Sequence, residues 1–206
     1  MPISIQPATM AAVSYVAANM RPEDRAEIWC QLHPDTPPEA VAQISLSSGQ
    51  AWVCWLNGQP VAAFGWGSLN YRAASLWAFG SPPMRRALPE ITKFVVNMLA
   101  RRFAESHLSY LEARSLVDHH EAHEWLQALG GLPVATLENY GGEEDFILFT
   151  WTRKDWENGR IPAQLLRLGK WLTDETADWL QSKVNEDVLF RRRLKTRAAA
   201  THPKER

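Results

Sequence analysis

Asn57-Gly58 stands between two apolar runs, so the stretch from Ala51 to Trp66 predicts a β-hairpin. A two-residue type I′ turn needs positive φ at both central positions, and Asn-Gly meets that need at little steric cost. Hairpin strands pair antiparallel, which commits this part of the chain to a sheet.

The flanking sequence supplies partners for that sheet. Ile3 and Ile5 alternate with polar neighbours up to Pro7 and predict a short opening strand, after which Thr9 is placed to cap a helix reaching about Asn19. Pro22 suits a first helical position, with Glu23 and Asp24 favourably placed in the first turn. Residues 37–46 predict another helical piece. A strand over Ala74–Phe79 breaks at Gly80-Ser81-Pro82-Pro83.

The strongest helix signal runs from Arg85 to Glu105, where Leu88, Ile91, Val95, Met98 and Leu99 recur at three- and four-residue spacing. Leu108–Ala113 predicts a strand, Glu121–Leu129 a helix stopped by Gly130-Gly131, and Val134–Leu137 and Phe146–Thr152 two strands around Gly141-Gly142. Helices on a mostly antiparallel sheet, with one parallel crossover through the long helix, make this an α+β chain. Beyond residue 157 the pattern turns purely helical, with one segment over Pro162–Leu168 and another over Thr173–Leu194. The expected division is therefore 1–157 for the α+β domain and 158–206 for a helical extension with a basic tail.

Charge is sorted along the chain. Seven of the 22 basic residues but one of the 23 acidic ones follow Leu189, so a body near −7 carries a tail near +6 within a net charge of −1. Arg191, Arg192, Arg193, Lys195 and Arg197 form a cluster able to neutralise phosphates, and nucleic acid is one expected contact. Ten tryptophans mostly predict core filling, while Trp171 and Trp179, in the extension, are candidate partner-binding residues. Cys30 and Cys54 predict small core residues in a reducing interior rather than a disulfide framework. No window approaches the roughly 18 to 20 consecutive apolar residues of a membrane span. His119 and His123 share a helix face, yet the run from His119 to Glu124 matches no zinc motif and has no evident third ligand, so no metal is expected. These histidines predict surface positions around a helix start.

Ile3–Thr9, the Asn-Gly hairpin and above all His119–Gly131, in that order, resemble a GNAT N-acyltransferase domain over about Ile3–Thr152. In that closing segment His119 takes the family's Asn place, Ala122 its Ala, Leu126 its Tyr, and Leu129-Gly130 its Leu-Gly. The wording of Arg21–Ile28 further resembles the small GNAT-like proteins of short-tailed phages, some of them internal virion proteins.

The resemblance implies a pyrophosphate turn between Gly80 and Ala87, with Ser81, Arg85 and Arg86 as the cofactor-binding residues if acyl-CoA binds. Glycines are missing there, and Pro82 and Pro83 remove donors. It also implies a Tyr that protonates the leaving thiolate, where this chain has Leu126; Tyr140 is the nearest remaining phenol and is expected to pack at a strand end. The catalytic residues are unassigned. The expectation is accordingly a virion-associated accessory protein, in the virion or the host cytoplasm, without cofactor and docking to other virion proteins. Its alternative is an active N-acyltransferase using acetyl-CoA on a protein or small amine.

Overall fold

The computed structural model describes residues 2–47, 49–105, 107–169, 172–178, 180–182 and 184–185. The turn forms as its chemistry requires, with φ of 52° at Asn57 and 79° at Gly58. It joins β2 (Gly49–Leu56) to β3 (Gln59–Asn70). β1 (Ile3–Pro7) pairs antiparallel with β2, and β4 (Ala73–Gly80) with β3.

α4 (Met84–Glu105) then crosses over to β5 (Tyr110–Leu116), which lies parallel to β4. β7 (Glu144–Thr152) pairs antiparallel with β5 and with β6 (Leu132–Gly141), giving the order β1-β2-β3-β4-β5-β7-β6. The α+β reading and its single parallel crossover are what the chain adopts.

Both faces of the sheet are covered. On one, Ala87, Ile91, Val95 and Leu99 form a buried i, i+4 stripe of α4 against Phe64, Trp66, Leu111, Phe149 and Trp151. On the other, α1 (Met10–Ala18) and α3 (Pro38–Leu46) bury Val13, Val16, Val41 and Ala42 over Val53, Ala63 and Phe79. Thr9 caps α1 by accepting from the Ala12 amide at 3.3 Å. Buried on both sides, β3 needs the near-continuous apolar run Pro60–Trp66.

The strand ends depart from the sequence pattern. β5 runs to Leu116, past the apolar Leu108–Ala113, because Glu112, Arg114 and Ser115 find partners inside the molecule. β6 extends from Leu132 to Gly141, with its register shifting between Leu137 and Gly141 around Asn139, whose φ is 53°. That irregularity breaks the alternation from which strands are recognised.

Past the sheet, α6 (Arg153–Glu157) is capped by Thr152, and Gly159 at φ 74° leads into α7 (Arg160–Leu166). Ile161, Leu165 and Leu180 join the same buried cluster as α4. Trp171, Trp179, Arg191, Arg192, Arg193, Lys195 and Arg197 lie outside the described residues. Cys54 is buried and Cys30 half-buried, both free. Among the described residues no helix is long and apolar enough to cross a membrane.

Candidate functional site

β4 and β5 pair over three residues, Ala73 with Tyr110 through Ser75 with Glu112, and then separate. α2 (Pro22–Trp29) spans the gap between their far ends. Asp24 accepts the Gly80 amide of β4 at 2.6 Å, and the Arg21 amide donates to the Gly80 carbonyl at 2.9 Å. One turn on, Glu27 accepts the Leu116 amide of β5 at 2.9 Å and the Ser115 hydroxyl at 2.7 Å. β4, β5 and α2 thus frame a window through the sheet.

A cavity of about 400 Å³ lies at this window and is lined by residues from both faces of the sheet. Trp52, Phe64, Leu88, Trp125 and Leu126 line it on the α4 side. Ile28, Leu32, Val41, Ile44, Trp77 and Tyr140 line it on the other.

Charge is concentrated on the α2 rim. The Arg21 guanidinium lies 2.8 Å from Asp24 and 2.9 Å from Glu121 at the start of α5 (His120–Ala128). His119 sits between them, its Nδ1 2.9 Å from Glu27 and its Nε2 3.6 Å from Asp24. Burial opposes a charge on His119, but the hydrogen bond and charge of Glu27, with Asp24 behind them, outweigh it and raise its pKa. Burial dominates at Asp24 and lifts its carboxyl despite Arg21 and the Gly80 amide. At Glu121 burial is overcome by Arg85 and Arg21, and the pKa falls.

The histidines expected at the surface are divided by this arrangement. His119 and His123 are buried and His120 is exposed, because the turn into α5 faces the rim and not solvent. The His123 ring lies against Phe149, with Nε2 2.9 Å from the Leu116 carbonyl, and burial lowers its pKa.

Leu126, standing where the resemblance expects a tyrosine, forms part of the cavity wall. Tyr140 packs edge-to-face on Phe146 at the end of β6, and it also reaches the cavity, where its hydroxyl accepts from Arg114 at 2.8 Å. Its own proton is left to donate.

Four amides around the turn after β4 are engaged within the chain. The Ser81 amide donates to Val61, that of Gly80 to Asp24, that of Met84 to Ser81 and that of Arg86 to Pro83, while Pro82 and Pro83 have none. Ser81 is buried. Arg85 is exposed and bridges to Glu121 at 3.1 Å and Glu23 at 3.6 Å; Arg86 is exposed on the next position of the helix. Of these three residues, Arg85 alone lines the cavity.

No protein-family model matches the chain, and no curated protein matches its sequence. Solved structures do match. An N-acetyltransferase from Staphylococcus aureus Mu50 superposes with a TM-score of 0.58 at 13% identity, over 75% of this chain and 99% of that one. Mycobacterium smegmatis RimJ, solved with CoA-disulfide, gives 0.59 at 15%, over 81% and 89%. A Vibrio cholerae spermidine N-acetyltransferase, solved with CoA and spermine, gives 0.55 at 11%, over 74% and 96%. The fold is that of the GNAT N-acetyltransferases. At such identities the likeness is one of fold, and the chemistry of this GNAT-like domain has to be argued from its own window.

Arg21, Asp24, Glu27 and Ser115 were not legible as site residues. The available signal was their i, i+3, i+6 spacing, which brings Arg21, the N-cap, and Asp24 and Glu27 of α2 to one side of the helix.

Proposed function

We propose that the protein is an N-acyltransferase that moves an acyl group from a thioester to an amine through the window between β4 and β5. One observation carries this reading: a cavity lined from both faces of the sheet has a carboxylate–imidazole pair, Glu27 and His119, in its wall. Such a passage lets donor and acceptor meet from opposite sides with a proton acceptor between them.

The donor approaches from the α4 side, where Arg85 supplies positive charge at the mouth. The amine enters from the α3 side. As its nitrogen bonds to the acyl carbon and the carbon–sulfur bond breaks, the Glu27–His119 pair takes the amine proton and Tyr140 protonates the leaving sulfur. The backbone of the turn contributes little to holding phosphates, so Arg85, released from Glu121, is the contact left for them.

The test is calorimetry with acetyl-CoA together with thiol release in the presence of primary amines. Saturable binding below about 1 mM and amine-dependent release support the reading. Absence of both overturns it.

A second reading keeps the fold without the reaction: an accessory component of a virion, docking to other virion proteins through residues 158–206. It is favoured by the turn amides being spent within the chain. It gains if acetyl-CoA fails to bind and removal of the basic tail abolishes incorporation into particles or weakens DNA binding.

A further inference from the structure

We infer that the acceptor is an apolar primary amine, aromatic or branched aliphatic, and not a polyamine; this rests on the acyltransferase reading above. Three observations on the α3 side of the window lead there.

The wall is largely apolar. Ile28, Leu32, Val41 and Trp77 form most of it beside Gln31 and Ser45, and it includes a large apolar side chain left in water, Ile44 at 58% exposure. Exposed apolar groups beside a concave apolar site mark a surface that a ligand covers.

Among the described residues, no carboxylate lining the cavity is free to bind a second cation. Asp24 is held by Arg21 and the Gly80 amide, Glu27 by Ser115, His119 and the Leu116 amide, and Glu121 by Arg21 and Arg85. A polyamine carries further ammonium groups besides the reacting one. Each would have to leave water for a largely apolar wall without a carboxylate partner, at a cost of several kcal/mol. An apolar amine brings one nitrogen to Glu27 and His119 and buries the rest of itself.

The reacting end is placed accordingly. Glu27 and Ile28 are consecutive on α2, and both line the cavity, so the proton acceptor and the apolar wall come from one rigid element. An amine nitrogen against Glu27 leaves its substituent facing Ile28, Val41 and Ile44.

The experiment compares phenethylamine with spermidine as acceptors, using acetyl-CoA and following thiol release, in the full-length protein and in Ile44→Glu. Ile44 is exposed on α3 and takes no part in proton transfer, and Glu is a good helix former, so the variant is expected to fold. An unchanged Tm and acetyl-CoA affinity verify that. The parent should prefer phenethylamine by at least ~10-fold in kcat/KM. Ile44→Glu should lose about 10-fold on phenethylamine and gain on spermidine. Spermidine preferred by the parent, or a variant with unchanged selectivity, overturns the inference while leaving acyl transfer intact. Acetyl-CoA failing to bind, or no release with any amine, overturns both.

Discussion

Asp24 and Glu27, one turn apart on α2, fasten the ends of two different strands: Asp24 holds Gly80 of β4 at 2.6 Å and Glu27 holds Leu116 of β5 at 2.9 Å. Strands that pair over three residues are kept apart beyond them by a helix laid across their ends. Removing Asp24 leaves the Gly80 amide without its acceptor and the 8%-exposed Arg21 with Glu121 as its remaining carboxylate. Asp24→Ala should therefore cost about 2–3 kcal/mol in urea denaturation, below the roughly 3–5 kcal/mol of a buried ion pair broken outright, because Arg21 keeps Glu121. A loss below about 1 kcal/mol would mean that α2 does not hold the window.

His119 links stability to pH. Its pKa is raised on folding, so the folded chain binds the proton more tightly than the unfolded one. That contribution is complete below the unfolded value of 6.5 and is lost as pH rises through the folded value. Asp24, also raised, acts in the same direction in the window starting at 3.8. Tm should fall as pH rises above 6.5, and His119→Asn should flatten this fall. A Tm that climbs through the same range contradicts the assignment.

Glu27→Gln keeps an acceptor for Leu116 and Ser115 while removing the base. It should lower kcat by about 10²- to 10⁴-fold with acetyl-CoA affinity retained. Tyr140→Phe should lower kcat too, with a loss that is smaller for thioesters whose thiol is more acidic, since their sulfur needs less help to leave. Equal losses across such donors would remove Tyr140 from the proton path.

The succession of elements and the parallel crossover were readable because they rest on local signals: the Asn57-Gly58 turn, the α4 stripe and the Gly-rich stops each act over a few residues. The site was not, because it is made by α2 meeting two strand ends about 56 and 89 positions away along the chain. Pro22, Glu23 and Asp24 read correctly as a helix start, yet nothing local says that Asp24 is buried. Tyr140 packs at a strand end as expected, but its approach to Arg114 was not legible, because positive φ at Asn139 and a register shift in β6 precede it. Leu126, set by the resemblance in the tyrosine place, lines the cavity, and the missing phenol there is a property of the sequence itself.

Arg85 and Glu121 close the α4 side of the mouth with an exposed pair, 61% and 39% accessible. Pairs of this kind contribute about 0–1 kcal/mol, so an arriving phosphate can displace Glu121. Glu121→Gln should tighten acetyl-CoA binding with little change in Tm, and Arg85→Ala should weaken it. Isothermal titration at two salt concentrations checks both, since the Arg85 contribution should shrink as salt rises. Opposite signs would place the phosphates elsewhere.

Residues beyond 157 are a test of where the folded unit ends. Ile161, Leu165 and Leu180 are each fully buried in the cluster that carries α4. At about 1.5–3 kcal/mol for each such side chain, their loss removes roughly 5–9 kcal/mol, comparable with the whole stability of an ordinary domain. Truncation after Glu157 should therefore leave a chain without a cooperative melting transition. Truncation after Asn185 removes Arg191, Arg192, Arg193, Lys195 and Arg197 but none of those core residues, and should melt within a few degrees of the full chain. If the basic cluster contacts nucleic acid, that shorter chain should also lose the salt-dependent part of its DNA binding, about one unit of slope in log K against log salt for each phosphate contact removed. A fragment ending at Glu157 that melts cooperatively near the full-length Tm would show that the α+β domain stands by itself and that Ile161, Leu165 and Leu180 decorate its core without completing it.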